Sequence, residues 1–97
     1  MILSNEPGYY KAGEYGIRIE NLQVVTPASP IAGGERSMLG FEQLTLAPID
    51  RRLMVKALMT AEEIAQIDAY HARVVEVITP QLEAPIADWL KTVCAPL

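Results

Sequence analysis

One cysteine, Cys94, and one histidine, His71, are all the 97-residue chain has of either type. A lone cysteine excludes an internal disulfide and a multi-cysteine zinc site. Charge is also scarce. Eight Lys and Arg stand against twelve Asp and Glu, and Arg51-Arg52 is the only adjacent basic pair. Cations so few and so scattered build no face for nucleic acid. No uncharged apolar run approaches the ~18 residues of a membrane span, since Pro27 and Pro30 interrupt the longest uncharged stretch, Asn21 to Gly34. Neither nucleic acid nor membrane is therefore an expected partner. No basic segment accompanies Met1-Ile2-Leu3, so a secretory leader is not expected and the cytoplasm is the expected compartment.

What is there is oil. The sequence is 51% hydrophobic before its six glycines are counted, against about 45–50% with glycine included for ordinary domains. The mean hydropathy is +0.17. A chain this small has little interior in which to hide such a surplus. The composition argues against disorder and for a partner surface, or for a piece of something larger.

The chain reads as two unlike halves, an α+β class with strands in residues 1–50 and helices in residues 51–97. Residues 1–4 look like the end of a strand. Asn5-Glu6-Pro7-Gly8 is a break. Tyr15 to Val25 alternates and is rich in Ile, Val and Tyr, the best strand candidate. Pro27 to Gly34 reads as a loop, and Met38 to Ala47 as a further strand closed by Pro48. An antiparallel arrangement is the simplest. In the second half, Thr60 and Glu63 fit a capping box. Ile64, Ile67, His71, Val74, Val75 and Ile78 follow at helical spacing. Thr79-Pro80 kinks this helix or opens a new one. A shorter helix covers about Ala84 to Val93, with Ile86, Trp89, Leu90 and Val93 on its apolar side.

The segment that could carry chemistry runs from Ser4-Asn5-Glu6-Pro7-Gly8-Tyr9-Tyr10 to Gly16-Ile17-Arg18-Ile19-Glu20-Asn21. On a strand, Ile17 and Ile19 face one way, Arg18 and Glu20 the other. Ionisable groups on such a strand are costly to bury unless paired or metal-bound. A hairpin between the two pieces would bring Glu6 and Glu20 side by side, and converging carboxylates suit hard divalent cations. From spacing alone, the bland alternative is a surface turn at Glu6 and an ion pair between Arg18 and Glu20.

The wording of the two pieces, N-E-P-G-Y-Y followed by G-I-R-I-E-N, closely resembles the last motif of the aminopeptidase P (Xaa-Pro aminopeptidase) family of pita-bread metallopeptidases. The resemblance continues through Phe41 to Asp50 and into the helical tail, with Thr60, Glu63, Tyr70-His71 and Trp89-Leu90. That tail separates it from methionine aminopeptidase and from shorter prolidase-like relatives. It implies the C-terminal part of a pita-bread fold: antiparallel strands, then a helical C-terminal extension. It implies a dinuclear-metal hydrolase that removes the N-terminal residue from peptides with proline in second position. The cofactor implied is two divalent metal ions, commonly manganese, held by two Asp, one His and two Glu. Glu6 and Glu20 would be the metal-binding glutamates, with Glu20 bridging both ions and Glu6 also relaying a proton. Arg18 would hold the carboxylates, and Tyr10 would take a hydrogen-bonding role. The helical tail implies a homodimer.

The sequence also departs from that pattern. No Asp occurs before Asp50, and the metal-binding His expected ahead of Glu6 is missing. His71, on a helix beside Ile67 and Val74, reads as a packed residue. The chain therefore supplies two of five ligands, as a C-terminal fragment inactive alone would. The rival readings are a non-catalytic oligomerising or binding module of the same fold, and a prolidase-type dipeptidase. Cys94 reads as a spectator thiol, and Gly33-Gly34 as too short for a phosphate loop.

Overall fold

A computed structural model describes residues 1–97. They form two compact units, Met1–Thr45 and Leu46–Leu97. The first contains five strands: β1 (Ile2–Asn5), β2 (Gly8–Lys11), β3 (Tyr15–Arg18), β4 (Asn21–Pro30) and β5 (Ser37–Gln43). β1, β4 and β5 make an antiparallel sheet in the order β1-β4-β5, and β2 pairs β3 as a separate hairpin. Gly13 makes the hairpin possible: it sits at φ +73° between β2 and β3, in the left-handed region that glycine enters freely.

Three boundaries differ from the sequence expectation, and the simplest is β5, which ends at Gln43 where a strand to Ala47 was expected. The single strand expected over Tyr15 to Val25 is two strands, interrupted at Ile19-Glu20. The loop expected over Pro27 to Gly34 begins later, because β4 runs on to Pro30. Pro27 is accommodated by a bulge: the register slips between Thr26 and Ser29, so Pro27 and Ala28 together stand opposite Leu39. A residue without an N–H is tolerated at such an irregularity. No residue of this unit is buried. Its order rests on main-chain ladders rather than on a core.

The second unit has the closed core. Helix α1 (Ala61–Ile78) starts on the capping box: the Thr60 hydroxyl accepts from Glu63 N–H at 3.1 Å and Thr60 N–H donates to the Glu63 carboxylate at 2.8 Å. A short 3₁₀ turn at Thr79–Gln81 leads to helix α2 (Ala84–Val93). Val74, Leu90 and Cys94 form the centre, with Leu46, Tyr70, Val75, Ile78, Leu82 and Val93 packed around it. The buried side of α2 is Ala87, Leu90 and Cys94, whereas Ile86 and Trp89 are half exposed. Of the apolar side expected from the sequence, Leu90 and Val93 meet the core, while Ile86 and Trp89 give way to Ala87 and Cys94. Burial also pushes the Cys94 thiol pKa upward, which fits an inert packed thiol. No helix is long and apolar enough to cross a membrane.

Residues 46–50, grouped with the strands in the sequence reading, pack with the helices instead. Leu46 joins the core. Tyr70 Oη donates to Ala47 O at 3.0 Å, and Ile49 N–H donates to His71 Nε2 at 2.9 Å. Arg51 then grips the end of α2, donating to the carbonyls of Thr92 and Ala95.

His71 is fully buried. Its Nε2 must stay unprotonated to accept from Ile49. Burial lowers its pKa below the usual 6.5, Arg51 adds to the effect, and Asp68 opposes it. The unfolded chain then takes up a proton that the folded one refuses. Stability is fully present above about pH 6.5 and is lost as pH falls from there through the folded pKa. Far-UV circular dichroism melts across this window should show a falling midpoint. His71→Gln, which keeps an acceptor for Ile49, should flatten it. A second acid-labile feature lies lower: Arg52 hydrogen bonds hold the Asp50 carboxyl at about 2, so its contribution disappears only below 3.8.

Candidate functional site

The two ladders around the β2–β3 hairpin share one register. Asn5 faces Asn21 on one side of the interruption, and Gly8 faces Arg18 on the other. The pairing carries through without a slip, since Ile19 N–H donates to Pro7 O at 3.2 Å. Glu6 therefore falls opposite Glu20. Because side chains alternate, Glu6, Gly8 and Tyr10 share a face with Gly16, Arg18 and Glu20. The other face carries Tyr9 and Tyr15, whose ring centroids are 6.0 Å apart.

Like charges set directly opposite destabilise an antiparallel pair. Arg18 answers that repulsion. Its Nη1 lies 2.7 Å from Glu6 Oε2 and 3.9 Å from Glu20 Oε2. Both carboxylates thus converge on one nitrogen, rather than pointing to opposite sides. Arg18 Nε donates to Tyr10 Oη at 2.8 Å. The guanidinium pKa is raised, first by the Tyr10 hydrogen bond and charge, then by Glu6 and more weakly by Glu20. The three charged side chains are about half exposed, so water screens much of their attraction. One guanidinium offsets only one of two carboxylates, and the pair keeps a net negative charge.

All four site residues expected from the sequence, Glu6, Tyr10, Arg18 and Glu20, meet on this face. His71 does not join them: it lies in the helical unit with Nε2 engaged by Ile49. No group of three or more His, Cys, Asp and Glu that could hold a metal ion occurs in the chain. The donor set is two carboxylates, of the chemistry that a hard divalent cation takes, but short of a complete coordination sphere. What sequence reasoning passed over is the pair Gly8 and Gly16. Neither has a positive φ, and Tyr10 lies against both. Glycine inside a strand of Tyr and Ile is the signal that could have flagged them.

The helical unit has an open cleft of about 660 Å³, lined in part by Asp50, Arg52, Trp89 and Val93. Its charged groups are engaged within the unit: Arg52 Nη2 donates to Asp50 Oδ2 at 2.7 Å, and Arg51 to main-chain carbonyls of Thr92 and Ala95.

Comparison with known proteins bears on the whole chain. The sequence profile of the family described as "C-terminal region of peptidase_M24" matches residues 37–97. The chain is similar to "Aminopeptidase P2" of Arabidopsis thaliana, at 42% identity over 100% of this chain and 14% of that protein. It is similar to "Xaa-Pro aminopeptidase 1" of Dictyostelium discoideum, at 38% identity over 100% of this chain and 16% of that protein. Among solved structures it resembles the X-prolyl aminopeptidase of Caenorhabditis elegans, described as a cytosolic enzyme with a di-nuclear active site. That match has a TM-score of 0.90 and 34% identity, and covers 99% of this chain and 16% of the other. The chain spans about one-sixth of the length of these relatives. The fold is accordingly the α+β C-terminal part of the pita-bread architecture.

If Arg18 is what lets the carboxylates face each other, Arg18→Met should speed amide exchange at Ile19, whose bond to Pro7 closes the interruption. Adding Glu6→Gln, which removes the repulsion, should restore protection. Unchanged exchange in Arg18→Met would show that the register stands without the guanidinium.

Proposed function

The chain belongs to the C-terminal region of the peptidase M24 family, and we propose that it acts as the C-terminal part of an Xaa-Pro aminopeptidase. Its substrates are peptides with proline in second position, from which the enzyme removes the N-terminal residue. The observation that carries this reading is the convergence of Glu6 and Glu20 on Arg18 within a chain whose fold matches an enzyme with a di-nuclear site. A pair of like charges held opposite by register is a standing cost in a strand hairpin, and a cation that shares both carboxylates repays it.

In this reading Glu6 and Glu20 hold the metal from one side, and residues outside the chain complete the set. When bound, two divalent ions supply an acidified water and a polarised carbonyl for peptide hydrolysis. The oxygen donors favour a hard ion, in keeping with manganese. By the family resemblance, Glu6 would also pass a proton to the leaving proline nitrogen. Arg18 holds Glu6 at 2.7 Å and attracts Glu20 from 3.9 Å, and Tyr10 holds Arg18 through the 2.8 Å bond to its Nε. The chain by itself is a fragment without hydrolytic activity, because two carboxylates do not retain two dications. A cytoplasmic enzyme is the setting that fits the cytosolic relative. Half-exposed Ile86 and Trp89 on α2 suit the pairing of two subunits.

The test is made in the full-length peptidase that contains this chain. Glu20→Gln keeps the shape and removes the charge. It should abolish hydrolysis of an Xaa-Pro peptide and lower bound manganese, measured by elemental analysis, with an unchanged circular dichroism spectrum. Arg18→Ala should lose about 10–100-fold in metal affinity or activity, as orienting partners of metal ligands do. Full activity and full metal content in Glu20→Gln would remove Glu20 from the site and the reading with it.

A further inference from the structure

We propose that Gly16 is a positioning residue for the carboxylate pair, acting through Tyr10. The inference rests on reading Glu6 and Glu20 as metal ligands, and it adds a residue that touches neither of them. Gly16 pairs with Tyr10 across the hairpin. Its backbone has no positive φ, so any residue could adopt its conformation. Glycine is there for room. A Cβ at position 16 would sit 2.6 Å from Tyr10 Cδ1 and 3.0 Å from Cε1, and its three nearest atoms all belong to Tyr10. Contacts that short force the ring to move, because Cδ1 lies next to the ring's root and cannot swing away alone.

Gly8 extends the same seat under the outer end of the ring. A Cβ there would meet Tyr10 Oη at 2.9 Å. The ring thus lies flat across two positions stripped of side chains, one on each strand. Its hydroxyl is thereby delivered to Arg18 Nε at 2.8 Å, with the guanidinium carbon 5.8 Å from the ring centroid. Arg18 in turn holds Glu6 at 2.7 Å and reaches Glu20 at 3.9 Å. A methyl group at position 16 would move the ring and its hydroxyl, and with them the guanidinium on which both carboxylates converge.

The prediction separates this role from a merely structural one. In an ordinary strand, replacing glycine by alanine stabilises. In the full-length peptidase, Gly16→Ala should weaken manganese binding about 10–100-fold, the range for orienting groups behind metal ligands, as read by competition with a chelator. Tyr10→Phe keeps the ring and removes the hydroxyl, and should weaken binding comparably. The double variant should bind no more weakly than the weaker single, because both changes cut the same link. In a Tyr10→Ala background the ring is gone, and Gly16→Ala should leave the thermal midpoint unchanged or raise it. Wild-type manganese affinity in Gly16→Ala, or losses that multiply in the double variant, would overturn the proposal. A lower midpoint for Gly16→Ala in the Tyr10→Ala background would do the same. Glu20→Gln run in parallel keeps the two readings apart: if it binds manganese normally, the metal site itself is wrong, whereas if only Gly16→Ala does, the positioning role alone falls.

Discussion

An unbroken antiparallel register sets two negative charges face to face, and much of the strand unit follows from that. Neither Glu6 nor Glu20 has freedom to drift apart, because Asn5 pairs Asn21 before them and Gly8 pairs Arg18 after them. The ladder is interrupted at the same place. Pro7 supplies no N–H, and only the Ile19 amide bridges the gap. Repulsion is thus concentrated where the hydrogen bonding is thinnest. A protein selected only for hairpin stability would not arrange its charges so. Arg18 lessens the cost without removing it, since one cation faces two anions.

The helical unit obeys a different logic. Its order comes from a small closed core and from a few main-chain groups bonded to buried or half-buried side chains. His71 takes the Ile49 amide, Tyr70 bonds the Ala47 main chain, and Arg51 takes the last carbonyls of α2. Ser, Thr or Asn could satisfy such groups at a surface. Here a neutral imidazole does so inside the fold, where its charging is penalised by burial and by Arg51. The acid sensitivity of this unit and the chemistry of the strand unit are therefore separate properties with separate causes.

Features written in local chemistry were legible in the sequence. The capping box of Thr60 and Glu63 follows from side chains three positions apart, and the hairpin between Glu6 and Glu20 from two short pieces with turn residues between them. For Glu6, Arg18 and Glu20 the spacing alone left a surface turn and an ion pair open, and a metal-binding role was implied only by the resemblance of the two motifs. Features that depend on what lies across the chain were not legible. Alternation through Ile17, Arg18, Ile19 and Glu20 is perfect, so nothing in it marks where β3 stops. Pro27 announces a loop, yet the partner strand absorbs it as a bulge opposite Leu39. The buried side of α2 takes in Ala87 and Cys94 and leaves the larger Ile86 and Trp89 half exposed. Hydrophobicity alone ranks those residues the other way.

Glycine shows the same limit most sharply. Gly13 and Gly16 are three residues apart and read alike in a sequence, yet they serve unlike ends. Gly13 holds a positive φ that other residues rarely adopt, and its purpose is conformational. Gly16 has backbone angles open to any residue, and what it provides is the absence of a side chain beneath Tyr10. The large ring, the missing Cβ and the guanidinium form one arrangement in which empty space is as necessary as any hydrogen bond. Within this chain the strand unit offers no buried residue to orient the exposed carboxylate pair. Neighbours on the same face take that part, and among the paired residues of β2 and β3 the side chains on that face are Tyr10 and Arg18.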